Sequence, residues 1–143
     1  MSAQQSFIKV VNLIGVDAEI QISNNPENLK LSSHVVLPGQ GAFKTCMDGI
    51  KKIPGMQDQL NEFVKVKQLP FFGICVGMQL LAENSEENGN HQGLGWINGT
   101  IKKLPSDDIK LPHMGWNNVK IVNKNSQIRP EENDYYFVHS YYF

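Results

Sequence analysis

The sequence predicts one α/β domain built on a parallel sheet, and three observations carry that prediction. Two short apolar runs, His34-Val35-Val36-Leu37 and Phe71-Phe72-Gly73-Ile74, read as short strands. Helical periodicity fills the chain before and between them. Each run also empties into a glycine-rich corner, Pro38-Gly39-Gln40-Gly41 and Gly73-Ile74-Cys75-Val76-Gly77. Strands that alternate with helices in this order pair in parallel. With 143 residues the chain is of one-domain length, enough to bury roughly two thirds of its unfolded surface. Residues 1–143 are therefore read as one domain.

The elements follow in order. Phe7, Ile8, Val11 and Leu13 recur at mostly helical spacing within Ala3 to Ile14, and Gly15 is a stop, which predicts a first helix. Ala18 to Ser23 alternates apolar and polar residues as a half-buried strand does. Asn24 to Leu31 is a loop or short helix, and His34 to Leu37 is the next strand. Helical patterns then run from Ala42 to about Lys52 and from Gly55 to about Gln68, ahead of the strand at Phe71 to Ile74. After the corner at Cys75 a further helix-like pattern begins. Beyond Asn84 the texture becomes polar turns, followed by short strands of a meander at Thr100–Leu104, Val119–Val122 and Tyr135–Phe143. No repeat, linker or low-complexity segment interrupts it.

Composition excludes several classes of function. The formal net charge of −1, from 13 basic and 14 acidic residues, gives no field that would draw nucleic acid or an anionic membrane. No apolar run approaches the ~20 residues of a membrane span, and MSAQQSFIKVV lacks the order of a secretory signal. A cytoplasmic protein is expected. The two cysteines, Cys46 and Cys75, have neither the number nor the spacing of a disulfide framework or zinc site, so two free thiols and no metal are expected.

Cys75 is the residue with chemistry. Gly73-Ile74-Cys75-Val76-Gly77 has the form of a nucleophile elbow with cysteine in place of serine. Glycines are needed on both sides because a nucleophile on a strand-to-helix turn is strained and Cβ atoms two residues away would collide. At such a turn the thiol meets the positive end of a helix, and the Val76 N–H is aimed at an oxyanion. The competing reading is a buried structural cysteine in a glycine-rich turn. Gly39, Gln40 and Gly41 end the neighbouring strand, where they form either a second set of oxyanion donors or an ordinary β-turn. Cys46, with no glycine frame, reads as core or surface filler.

Four motifs then agree in order: LPGQGAF (37–43), GICVGMQLL (73–81), PHMGWNNV (112–119) and YFVHSYY (136–142). Together they resemble the glutaminase subunits of imidazole glycerol phosphate synthase, a branch of the triad-type (class I) glutamine amidotransferases. GICxGMQ is shared with other triad-type members; PHMGWN and FVHSYY are more specific to this branch and its sugar-modifying relatives. The resemblance implies a flavodoxin-like fold, a mostly parallel sheet with helices on both faces, and no cofactor. It implies that Cys75 attacks the side-chain amide of glutamine while Val76 and Gly39, Gln40 and Gly41 hold the oxyanion. Gln79, Glu87, His139, Ser140 and Tyr141 match positions that grip glutamine, although Gln79 also reads as a helix-surface residue and Glu87 as part of a solvated acidic run.

By the same resemblance, ammonia passes to a (β/α)₈-barrel cyclase subunit that docks over the site, and Met114, Trp116, Asn117 and Tyr136 match the docking surface. Read without the family, Trp116 is expected to be a core residue rather than an interface anchor. The family also opens with a strand ending in Asp-Tyr-Gly, and its general base is the histidine of a His-Pro-Glu motif beyond FVHSYY. Neither is present here, and none of His34, His91, His113 and His139 precedes Pro-Glu. An incomplete domain, lacking the first strand and the C-terminal segment, is thus expected, with slow or no glutaminase turnover. The alternatives are a silent remnant that only docks on a synthase barrel, an amidotransferase of sugar modification, or a cysteine hydrolase of the same fold acting on another amide or ester.

Overall fold

The computed structural model describes residues 2–105, 110–121 and 133–143. Its first element, α1 (Ala3–Ile14), has the predicted bounds. Ser2 and Gln5 close a capping box at its start, and Gly15 ends it at φ 69°, a left-handed conformation that costs glycine little. No residue of α1 is buried. The chain from Val16 to Asn25 then carries no regular structure, so the strand expected at Ala18–Ser23 does not form. Alternation prepares a strand, but a ladder needs a neighbour, and none of the described strands lies against this segment. A 3₁₀ turn at Pro26–Lys30 follows, capped by Asn25.

The center of the molecule is a βαβ unit. Strand β1 (Val35–Gly39) pairs in parallel with β2 (Phe71–Cys75), in register from Val35 opposite Phe71 to Gly39 opposite Cys75. Between them run α2 (Phe43–Lys51) and α3 (Met56–Asn61), the latter continued by a π-helical turn at Glu62–Val66. Phe43, Met47 and Ile50 recur on one face of α2 and are buried, as are Leu60 and Phe63. Each such side chain contributes about 1.5–3 kcal/mol by leaving water. Val76, Leu80, Ala82, Leu94 and Ile101 complete the core from the far side.

After Cys75 the helix is far shorter than the pattern MQLLAEN suggests: α4 spans Val76–Gln79 only, and β3 (Ala82–Ser85) begins almost at once. The carbonyls a longer helix would use are taken by the returning chain, with Leu80 O accepting from Leu94 N at 2.8 Å, Leu81 O from Trp96 N at 2.9 Å and Ala82 O from Gly95 N at 3.0 Å. Strand β3 pairs with β4 (His91–Gln92) and, in parallel, with β5 (Ile97–Lys103), whose other edge carries β8 (Tyr141–Tyr142).

A separate antiparallel hairpin joins β6 (His113–Asn118) to β7 (Asp134–His139). The strand expected at Val119–Val122 therefore lies earlier, where Trp116 opposes Tyr136 and His113 opposes His139 across the ladder. Val119 adds one bond to Asn133, and Val122 is outside the described residues. The segment Tyr135–Phe143 is not one strand, because Ser140 separates β7, which pairs with β6, from β8, which pairs with β5. The α/β architecture holds, but its pairing is mixed: β1–β2 and β3–β5 are parallel, while β3–β4, β5–β8 and β6–β7 are antiparallel.

Candidate active site

Cys75 is the last residue of β2 and the residue before α4, held at φ 56° and ψ −121°. A non-glycine residue with such a φ stores about 1–3 kcal/mol of strain, which only well-packed surroundings maintain. Three glycines provide that packing. A Cβ on Gly73 would stand 2.5 Å from Met78 Cα, one on Gly77 would collide with the Leu37 carbonyl oxygen, and one on Gly39 with the Gly77 nitrogen. β1, β2 and α4 can thus approach only where side chains are absent. The corner pushes Cys75 outward, and its thiol is exposed. The fold does not bury this cysteine in the manner of a structural one.

Gly39 lies directly opposite Cys75, and the loop Gln40-Gly41-Ala42 continues from it, with Gly41 at φ 89°. Val76 is the first residue of α4, where helix geometry supplies its N–H with no acceptor. The ends of β1 and β2 therefore lie side by side at the Cys75 corner. The expected helix dipole is small, since a helix of four residues aligns few peptides.

Cys46 packs against the core at the edge of the site, as the filler reading has it. It sits one turn into α2, half-buried, and its Sγ–H donates to the Gln40 carbonyl at 3.4 Å. Burial pushes its thiol above the ordinary range; the hydrogen bond to the Gln40 carbonyl pulls the other way, and the nearby Glu87 carboxylate adds to the rise. Sequence reasoning missed Ser85, a fully buried polar residue whose Oγ accepts from Glu87 N at 3.2 Å.

The remaining candidates fall into two groups. Glu87 reaches across to α2, where its Oε2 accepts from Phe43 N at 2.7 Å. Gln79 Nε2 donates to the Tyr141 carbonyl at 3.4 Å, and His139 Nδ1 donates to the same oxygen at 3.0 Å. The Ser140 carbonyl between them accepts from Leu104 N at 2.9 Å. Gln79, His139, Ser140 and Tyr141, from distant parts of the sequence, thus meet where α4 faces the β7–β8 junction.

On the hairpin, Met114, Trp116 and Tyr136 share one exposed face with Val138; Trp116 is 72% exposed and stacks edge-on against Tyr136 at 5.6 Å. The fold does not make Trp116 a core residue. Asn117 points the other way, into a cleft of about 290 Å³ that His113, Phe137 and His139 also line. Among the described residues no three His, Cys, Asp or Glu side chains converge as metal ligands, and no helix is long and apolar enough to cross a membrane.

Comparison with known proteins bears on this geometry. The family described as glutamine amidotransferase class-I matches residues 4–143. The chain belongs to that family. Curated relatives of this class-I glutamine amidotransferase include the imidazole glycerol phosphate synthase subunit HisH of Zymomonas mobilis, 46% identical over 124 residues, covering 85% of this chain and 58% of its own. HisH of Rhodospirillum rubrum is 46% identical over 148 residues, covering 99% of this chain and 69% of its own. HisH of Neisseria meningitidis serogroup B is 42% identical over 142 residues, with coverages of 92% and 64%. The amidotransferase chain thus spans between 58% and 69% of the length of these relatives.

Proposed function

We propose that the chain is a glutaminase subunit of imidazole glycerol phosphate synthase, acting in the cytoplasm in histidine biosynthesis. The observation that carries this reading is the elbow, in which a strained, exposed Cys75 stands opposite Gly39 between two glycines that no side chain could replace. The names of the relatives supply the synthase. In the reaction, Cys75 Sγ adds to the amide carbon of glutamine, and the carbonyl oxygen becomes an oxyanion held by N–H groups of Val76 and of the Gly39–Gly41 segment. Collapse expels ammonia and leaves a γ-glutamyl thioester, which water hydrolyses to glutamate and free thiol.

Gln79, Glu87, His139, Ser140 and Tyr141 grip the substrate. Ammonia moves on to a (β/α)₈-barrel cyclase subunit, which docks on the Met114, Trp116 and Tyr136 face of the hairpin with Asn117 at its margin. A side chain of about this size, aromatic and exposed, is a common interface anchor. The departing nitrogen also needs a proton, the task of the histidine of a His-Pro-Glu motif in triad-type amidotransferases.

The test is ammonia release from glutamine in the presence of the cyclase barrel. It compares the 143-residue chain, a chain extended by a family segment carrying His-Pro-Glu, and the extended chain with Cys75→Ala. The extended chain should turn over, the shorter one should be slower by roughly 10²–10⁴-fold, and Cys75→Ala should abolish the activity. Undiminished turnover by Cys75→Ala would overturn the assignment.

A further inference from the structure

We propose that Glu87 is the N-terminal cap of α2 and, through it, the residue that positions the Gly39–Ala42 loop beside Cys75. The role rests on the reading of that loop as the second oxyanion wall, and it differs from a grip on glutamine.

The start of α2 is chemically incomplete. Ala42 occupies the cap position and has no side-chain acceptor for the first-turn amides, which no helical carbonyl can reach. Glu87 supplies that acceptor from 44 residues away, with Oε2 2.7 Å from Phe43 N. A carboxylate at a helix N-terminus is favoured by charge as well as by the hydrogen bond. Both ends of the contact are anchored. Phe43 is fully buried, so its side chain seats the start of α2 on the core while its amide relies on Glu87 for an acceptor. On the other side, Glu86 N bonds to Ile101 O at 2.9 Å, and Glu87 N to Oγ of the fully buried Ser85 at 3.2 Å.

The loop between has little else to hold it. Gly41 has nothing within 4 Å of where a Cβ would stand, and it sits at φ 89°. Gly39 is tied to β2 by the parallel register, the Gln40 carbonyl to Cys46 Sγ at 3.4 Å, and the far end to Glu87. Glu87 thereby links strand β3 to the wall opposite the nucleophile.

The test is amide hydrogen exchange at Gly41 and Phe43 in the 143-residue chain, measured by NMR without glutamine or cyclase. It compares wild type, Glu87→Ala and Glu87→Gln. Loss of a cap should speed exchange at Phe43 roughly tenfold in Glu87→Ala, with Gly41 following. Glu87→Gln keeps an acceptor oxygen and should hold both amides within about twofold of wild type. Unchanged exchange in Glu87→Ala, or equal acceleration in both variants, would overturn the proposal. In the extended chain, glutaminase kinetics add a second readout: kcat should fall in Glu87→Ala and recover in Glu87→Gln, whereas equal rises in KM at constant kcat would make Glu87 a substrate contact only. Because exchange is read without substrate, failure of the glutaminase reading leaves that part of the test intact.

Discussion

The elbow around Cys75 and the β6–β7 hairpin carry equally conspicuous motifs, yet they are built in opposite ways. At the elbow the motif residues are determined by the chain itself: Gly39, Gly73 and Gly77 each stand where a Cβ would strike backbone, and Val76 and Leu80 are buried beside them. On the hairpin, Met114, Trp116, Tyr136 and Val138 face outward, and nothing in the core depends on them. The contrast separates a sequence signal that internal packing explains from one that the packing of the described residues does not use. A motif that folding does not require is where a partner is to be sought.

That contrast can be broken by exchanging the type of damage done to each region. Gly77→Ala forces a methyl group against the Leu37 carbonyl oxygen, and a clash with backbone sits at or above the upper end of the ~1–3 kcal/mol cost of overpacking. Urea denaturation should register a loss of about 3 kcal/mol or more. Trp116→Ala, at a side chain 72% exposed, should change stability by no more than about 0.5 kcal/mol. Comparable losses in the two variants would erase the distinction.

Trp116→Ala should instead weaken association with the cyclase barrel by roughly 2 kcal/mol, the scale of an aromatic anchor, as titration calorimetry would read it. Unaltered affinity would return the hairpin face to ordinary surface. The two thiols sharpen the comparison within the site. Cys75 is exposed, whereas Cys46 is half-buried with its ionisation made harder by burial. Iodoacetamide at neutral pH should label Cys75 first, on the order of tenfold faster, and peptide mass mapping distinguishes them.

The smallest effect concerns pH. The Cys46 thiol is raised above its unfolded value, so the folded state binds this proton more tightly than the unfolded chain does. Its contribution is fully present below the unfolded thiol pKa and is lost as pH rises through the folded one. Denaturation midpoints followed into alkaline solution should therefore decline less steeply in Cys46→Ser.

What could be read from the sequence was local. The bounds of α1 follow from its spacing and Gly15, and the elbow from glycine spacing around Cys75, because both rest on sterics within a few residues. What could not be read required distant chain. Ala18–Ser23 alternates like a strand but meets no ladder, and MQLLAEN stops being helical because residues 94–96 claim its carbonyls. The contact from Glu87 to Phe43 spans 44 residues and leaves only one local trace, an alanine where α2 wants a polar cap.

The central claim is that Cys75 in its elbow is the nucleophile for a glutamine side chain, and its most direct measurement is covalent capture. The chain is incubated with the diazoketone analogue of glutamine, 6-diazo-5-oxo-norleucine, with and without excess glutamine, and the modified peptide is identified by mass spectrometry. The adduct should form on Cys75 alone, and glutamine should slow its formation. An adduct on Cys46, or labelling of Cys75 that glutamine does not slow, would contradict the account.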